Sequence, residues 1–387
     1  MFPLKKILPP LFLLFASASF AQVNFIDNDW DMAKAKAKQE NKLIFMDCYT
    51  TWCGWCKVMD KETFTNSAVI EMLSNNFISL KMDMEKSTGM KLAMKYGVSG
   101  FPTLMIFNSS AQLVYRSAGF LKAEPFIATL KSAMEKREPV KGYSDELDLN
   151  YPKFLIDVSD GDPGTKYPRE EVVVAYLDHQ TDLYSELNWA IIKRFHPGGK
   201  YKLLFLDNMD KYKSLYGEAE VSDHLDEVFY AELNRAIKDK SEAEYKDVLV
   251  LIEKYKSEEA QDYKMEYDIT YYRGTENWPA FAAAVQHMID KKSDVDAAMI
   301  NDYSWDVCEK CDDPHLIKMA VNWMSKAVEK EPEYNYLDTY AALLYKANDY
   351  ATAKKYADEA LAKGKEQGEN TQETEELLAK INAALKK

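Results

Sequence analysis

Hydrophobic positions along the chain fall into two regimes. Over the first third they form short, nearly continuous apolar runs: LIFMDCY at 43–49, FISLKMD at 77–83 and TLMIFN at 103–108. Runs of this length predict strands, the first of them, LIFMDCY, buried on both faces. Between them, DNDWDMAKAKAKQENK (27–42) opens on Asp and continues in Ala and Lys, predicting a helix. Cys56–Asn75 reads as a second helix, with apolar Val58, Met59, Val69, Met72 and Leu73. TGMKLAMKYG (88–97) and KAEPFIATLKSAMEKRE (122–138) read as a third and a fourth. QLVYRS (112–117) pairs with TLMIFN across a polar turn at Asn108–Ala111, a hairpin. The order is a βα crossover, then a hairpin, then a closing helix, which predicts an α/β fold.

Beyond Pro139 strand signals nearly vanish. The SDGDPGTKYP loop (159–168) and the HPGGK turn (196–200) separate long segments rich in Ala, Leu, Tyr, Glu and Lys, predicting an all-α region. Near the C-terminus the chain resembles itself. AVNWMSKAVEK from Ala320 aligns with AKKYADEALAK from Ala353 at an offset of 33, which also carries Cys308 onto Ala341 and Trp323 onto Tyr356. A period near 34 with helical content predicts stacked helix pairs. Leu337, Ala341, Leu344, Ala353 and Ala360, with Asn348–Asp349–Tyr350 between helices, resemble a tetratricopeptide repeat. The domain reading is therefore 1–21, 22–138, 139–293 (helical, of unassigned family) and 294–387 (TPR-like).

The first of these segments is a leader. Lys5 and Lys6 precede the apolar ILPPLFLLF, small residues follow in ASASFA, and polar QVN comes next. This predicts a secretory signal cleaved after Ala21 and an exported protein, periplasmic if the source is Gram-negative. No later run reaches the length of a membrane span, so no stable span is expected in the mature chain. Hydrophobic residues at 47% and charged residues at 29% fit a globular protein. The net charge of −14 is uneven: residues 21–138 carry 15 basic and 13 acidic residues, and the chain beyond carries 32 basic and 50 acidic. An acidic tail argues against nucleic acid as a partner.

Five cysteines are too few to staple a chain of 387 residues, and they cluster: Cys48, Cys53, Cys56, then Cys308 and Cys311. Cys53 and Cys56 open a predicted helix. There free N–H groups and the helix dipole favour a thiolate on the first cysteine, with the second one turn away. That spacing suits a redox pair, and half of a zinc site shares it. Zinc needs two more ligands, and no histidine precedes His179. The five histidines, His179, His196, His224, His287 and His315, are scattered without metal-ligand spacing, so no metal or other cofactor is expected. Cys48 reads as a buried strand residue. Cys308 and Cys311 read as small hydrophobes inside a helix.

WCGWCK (52–57) resembles the active-site motif of the thioredoxin superfamily, and VSGFPT (98–103) resembles its cis-proline loop. The extension KETFTNSAVIEML is similar to exported domains of the DsbD C-terminal type. The resemblance covers about 23–136. It implies a three-layer α/β/α thioredoxin fold with a mixed sheet, preceding the helical-repeat region. It implies thiol–disulfide oxidoreductase activity on a protein disulfide substrate or redox partner, with Cys53 attacking and Cys56 resolving. It further implies a cis Pro102 beside the dithiol, Asp47 as buried acid/base for Cys56, and substrate contact by Trp52, Gly54, Trp55, Phe101 and Thr103. Gly54–Trp55 departs from the Gly-Pro of ordinary thioredoxins, which leaves the direction of electron flow open. A second reading makes the chain an adaptor whose helical tail binds a protein partner, with little redox role for the first domain.

Overall fold

A computed structural model describes residues 22–136, 138–159, 166–292 and 294–386, so the predicted leader lies outside the described residues. The chain divides into two compact units, Met1–Val228 and Phe229–Lys387.

The first unit is built on a mixed five-stranded sheet. In chain order its elements are β1 (Phe25–Asp27), α1 (Trp30–Glu40), β2 (Leu43–Tyr49), α2 (Gly54–Glu62), α3 (Ser67–Asn76), β3 (Phe77–Asp83), α4 (Ser87–Tyr96), β4 (Thr103–Phe107), β5 (Leu113–Ala118) and α5 (Ala123–Lys136). The strand order is β1-β3-β2-β4-β5. β1 and β2 run parallel to β3, while β2–β4 and β4–β5 are antiparallel. Successive side chains of β2 point to opposite faces. Ile44, Met46 and Cys48 pack with Trp30, Ala33 and Ala37 of α1 and Leu92 and Tyr96 of α4. Leu43 and Phe45 pack with Met59 of α2, Leu73 of α3 and Phe126 of α5. The domain is therefore three layers, with both sheet faces covered, as the apolar runs require.

Two elements differ from the sequence expectation. The single helix over Cys56–Asn75 is two, broken at Thr63–Asn66, because Asn66 turns extended and its side chain accepts from Ala68 N at 3.0 Å and Val69 N at 3.3 Å. β1 was not foreseen: three residues on a sheet edge carry too little periodicity to stand out.

Six helices follow in or across the remainder of this unit: α6 (Lys153–Ser159), α7 (Glu170–Asp178), α8 (Glu186–Phe195), α9 (Gly199–Asp207), α10 (Met209–Tyr216) and α11 (Glu218–Lys238). They join the sheet domain through buried polar contacts. Val140 N donates to Leu113 O at 2.7 Å. Lys95, at the end of α4, pairs with Glu186 at 2.5 Å and donates to Glu146 O at 2.7 Å. Glu220 collects Tyr143 Oη and Trp189 Nε1, each at 2.7 Å, and Lys193 Nζ. Lys193 Nζ also donates to Tyr96 O at 2.9 Å, the same carbonyl that Arg116 Nη1 reaches at 2.9 Å. Gly97 ends α4 at φ 62°, and a Cβ there would stand 3.1 Å from Lys193 Nζ. The position thus needs glycine twice over, for its backbone and for the lysine.

The second unit continues as α12 (Glu242–Tyr255), α13 (Ala260–Gly274), α14 (Trp278–Lys291), α15 (Ala297–Lys310), α16 (Pro314–Lys330), α17 (Tyr334–Lys346), α18 (Tyr350–Gln367) and α19 (Gln372–Ala384). Each helix packs on its successor, and α14 on α16, α15 on α17 and α17 on α19. Ala341, Ala353, Ala357 and Ala360 are fully buried, which lets α17 and α18 approach closely. No strand occurs among the described residues beyond Ala118. Cys308 lies in α15, but Cys311 is its extended C-cap and not helix interior, because the chain must turn there to reach Pro314. Both thiols are buried and unbridged.

Candidate active site

The dithiol sits where β2 hands over to α2. Cys53 is the N-cap of α2, in extended conformation, and its sulfur accepts the Cys56 N–H at 3.0 Å. That bond satisfies one of the orphan donors at the helix start. The two cysteines form a disulfide with S–S 2.06 Å and Cα–Cα 5.4 Å, and both are buried. Gly54 opens the helix with free space where a Cβ would stand.

The rim is aromatic. Trp52 is 65% exposed and Trp55 61%, unusual for indoles. Trp52 donates its Nε1 hydrogen to Glu85 at 2.8 Å and meets Phe101 edge to face at 5.8 Å. Trp55 leans on Phe120 at 5.5 Å. The Phe101–Pro102 peptide bond is cis. Its loop is tied down by Thr103 Oγ1 donating to Gly100 O at 2.7 Å and by Gly119 N donating to Pro102 O at 2.8 Å. Thr103 itself is buried and pairs with Cys48 across β4–β2.

Asp47 continues the Leu43–Phe45 side of β2, the face that α2 covers. It is 1% exposed and neither carboxylate oxygen accepts a hydrogen bond. Lys81 Nζ, from the paired position on β3, stands 3.6 Å away and also engages Asp60. Burial pushes the Asp47 carboxyl up to about 7, against the opposing charge of Lys81. A group poised there can hold or release a proton near neutral pH. On the opposite face, burial pushes the Cys48 thiol well above its ordinary value, so it has no thiolate character. Burial likewise raises Cys308 to about 11 and raises Cys311.

The structure thus brings Trp52, Cys53, Gly54, Trp55 and Cys56 onto one turn and fixes the loop of Phe101, Pro102 and Thr103 by its own bonds. Sequence reasoning did not find Lys81, Glu85 or Phe120. Lys81 had a signal, being the one cation in the apolar run FISLKMD. Histidines that are scattered in sequence also meet: ligand atoms of His196, His224 and Glu227 lie within 4.8 Å of one another.

Known proteins are similar to the N-terminal part of the chain. Residues 20–126 match the Thioredox_DsbH family, described as a protein of unknown function, DUF255. Protein disulfide isomerase-like 5-3 of Oryza sativa subsp. japonica is 32% identical over 120 residues, covering 29% of this chain and 27% of the relative. Thiol:disulfide interchange protein DsbD of Colwellia psychrerythraea is 33% identical over 120 residues, covering 30% of this chain and 19% of the relative. The chain thus spans 27% or less of the length of these curated relatives. A solution structure of a disulphide-isomerase candidate from Bacteroides thetaiotaomicron is 40% identical, covering 31% of this chain and all of that one, with a TM-score of 0.29. The N-terminal domain, which carries the Cys53–Cys56 pair and precedes a large all-helical region, thus has a thioredoxin-like fold and is similar to known thiol–disulfide oxidoreductases.

Proposed function

We propose that the chain is an exported oxidoreductase that reduces disulfides of protein substrates through Cys53 and Cys56. The observation that carries this reading is the dithiol at the α2 N-cap, with Asp47 unpartnered by hydrogen bonds beneath the same helix. In the reduced enzyme the Cys53 thiolate attacks one sulfur of the substrate disulfide. The substrate S–S bond breaks, a Cys53–substrate bond forms, and the substrate's other sulfur leaves as a thiolate. Cys56 loses its proton to Asp47 and attacks Cys53 Sγ. The mixed disulfide breaks, the Cys53–Cys56 bond forms, and the second substrate sulfur is released. Two electrons pass to the substrate, and its two thiolates take up one proton from Asp47 and one from solvent.

The exposed indoles of Trp52 and Trp55 supply apolar surface, and the loop around Pro102 offers a backbone edge that an extended substrate segment pairs with. Gly54 leaves the mouth of the dithiol open, while Phe101 and Thr103 set the loop. Export is part of the proposal; among the described residues no helix is long and apolar enough to cross a membrane. The helical region presents the substrate or a redox partner.

Insulin disulfide reduction, with Cys53→Ser as control, tests the activity. Turnover that survives Cys53→Ser, or none in any redox buffer, would falsify the reading. The reduction potential tests direction: a value near about −270 mV marks a reductase and one near about −120 mV an oxidant.

A further inference from the structure

We propose that His196, His224 and Glu227 form a Zn²⁺ site with one coordination position left open. His224 and Glu227 are three residues apart on α11 and so share a face. His196 comes from elsewhere: it is the left-handed C-cap of α8, at φ 43°, with its backbone N–H on Ile192 O. Its ring lies nearly parallel to that of His224, centroids 5.4 Å apart and planes 20° from each other.

The spacing fits a metal. Zinc–ligand bonds of about 2.1 Å in a tetrahedron put neighbouring donors about 3.4 Å apart. His224 Nδ1 and Glu227 Oε2 are 3.4 Å apart, and all three ligand atoms lie within 4.8 Å. The Glu227 side chain, 46% exposed, is free to rotate toward a bound ion, while His224 is held by burial at 1%. Two imidazoles and a carboxylate without thiolate suit zinc, and three protein ligands leave a fourth position for water.

The charge around the site points the same way. A cavity of about 290 Å³ opens beside His224 and Glu227. Its walls carry four carboxylates, Glu220, Asp223, Asp226 and Glu227, against two cations, Arg116 and Lys193. Glu220 is already engaged by Lys193, so the remaining walls, Asp223, Asp226 and Glu227 against Arg116, carry a surplus of two negative charges. A divalent cation neutralises it.

The test uses the oxidised full chain, in which the Cys53–Cys56 thiols are bridged. It is stripped with a chelator, then titrated with Zn²⁺ by calorimetry and with Co²⁺ by visible absorption. One equivalent of Zn²⁺ and intense tetrahedral Co²⁺ bands are expected. Glu227→Gln, a change at an exposed side chain that keeps the fold, is expected to weaken Zn²⁺ at least about tenfold. The His196→Ala/His224→Ala double variant is expected to lose the Co²⁺ bands, and Cys308→Ser/Cys311→Ser to keep them. No binding, equal Zn²⁺ affinity in Glu227→Gln, or loss confined to the Cys308/Cys311 variant overturns the proposal, leaving His224–Glu227 as an ion pair only. None of these readouts depends on disulfide turnover, so they stand or fall apart from the redox reading.

Discussion

Asp47 is where a single residue couples stability to chemistry. Its carboxyl is pushed up to about 7 in the fold from an ordinary value of 3.8. The folded chain therefore binds a proton that the unfolded chain has released, and stability falls as pH rises between those values. The loss amounts to roughly 4 kcal/mol from pH 4 to above pH 7. Urea unfolding of the oxidised chain at pH 5 and pH 8 is expected to show this decline, and Asp47→Asn to flatten it. A slope unchanged in Asp47→Asn would assign the proton to another group. In the reduced enzyme, resolution by Cys56 is expected to slow in the same variant near neutral pH, while attack by Cys53 does not, as single-turnover trapping of the mixed disulfide reports. Residues of this kind were partly legible in the sequence. Cys53, Cys56 and Pro102 sit in local motifs whose spacing is read directly, and Asp47 lies a fixed step upstream. Lys81, which limits the rise in Asp47, belongs to a different strand and becomes its neighbour only through the β2–β3 register.

At the scale of elements, the joint between α4 and the later helices concentrates the buried charge. Lys193, Glu220 and Arg116 meet at the Tyr96 and Gly97 carbonyls, where α4 ends. Burial lowers Lys193 to about 8, despite Glu220, and the charges of Lys193 and Arg116 hold Glu220 below its ordinary value against burial. Both members of the pair are charged at pH 7. Removing one leaves the other buried without its counter-charge. Lys193→Met is expected to cost about 3–5 kcal/mol in denaturant unfolding, and Lys193→Met with Glu220→Gln to cost less than Lys193→Met alone. A double variant as destabilised as the sum of the singles would show that the pair does not couple. None of this network was legible in advance, because its members are tens of residues apart and carry no shared period. The split between α2 and α3 was legible in principle. Asn66–Ser67 before an apolar run is an N-cap signal, and the predicted helix simply ran through it. A cap of this type is worth about 1 kcal/mol, the loss expected for Asn66→Ala on thermal unfolding.

On the scale of the whole molecule, the first unit extends well beyond the redox domain. Val140, Tyr143, Ser144 and Glu186 all bond to residues of the sheet domain or to the buried cluster at its edge. A chain ending at residue 138 leaves Lys95 without Ser144, Glu146 and Glu186, and Arg116 without Glu220; one ending at residue 228 keeps them. The longer fragment is expected to unfold cooperatively with the wild-type midpoint for the redox domain, the shorter one at lower denaturant, as followed by far-UV circular dichroism. Equal midpoints would confine the stabilising role of residues 139–228 to their own helices. The α/β-then-all-α order was plain in the hydrophobic pattern, since unbroken apolar runs give way to helical periods at Pro139. Where one compact body ends and the next begins was not, because buried lysines and tyrosines look like surface residues in one dimension.

The two indoles beside the dithiol have a consequence for measurement. Of the seven tryptophans, only Trp52 and Trp55 are exposed; Trp30, Trp189 and Trp323 are buried and Trp278 and Trp305 are partly so. A disulfide next to an indole quenches its emission, and a dissolved quencher reaches the exposed pair most readily. The native fluorescence of the chain is thus a label-free optical gauge of its oxidation state, one that Trp52→Phe/Trp55→Phe should switch off.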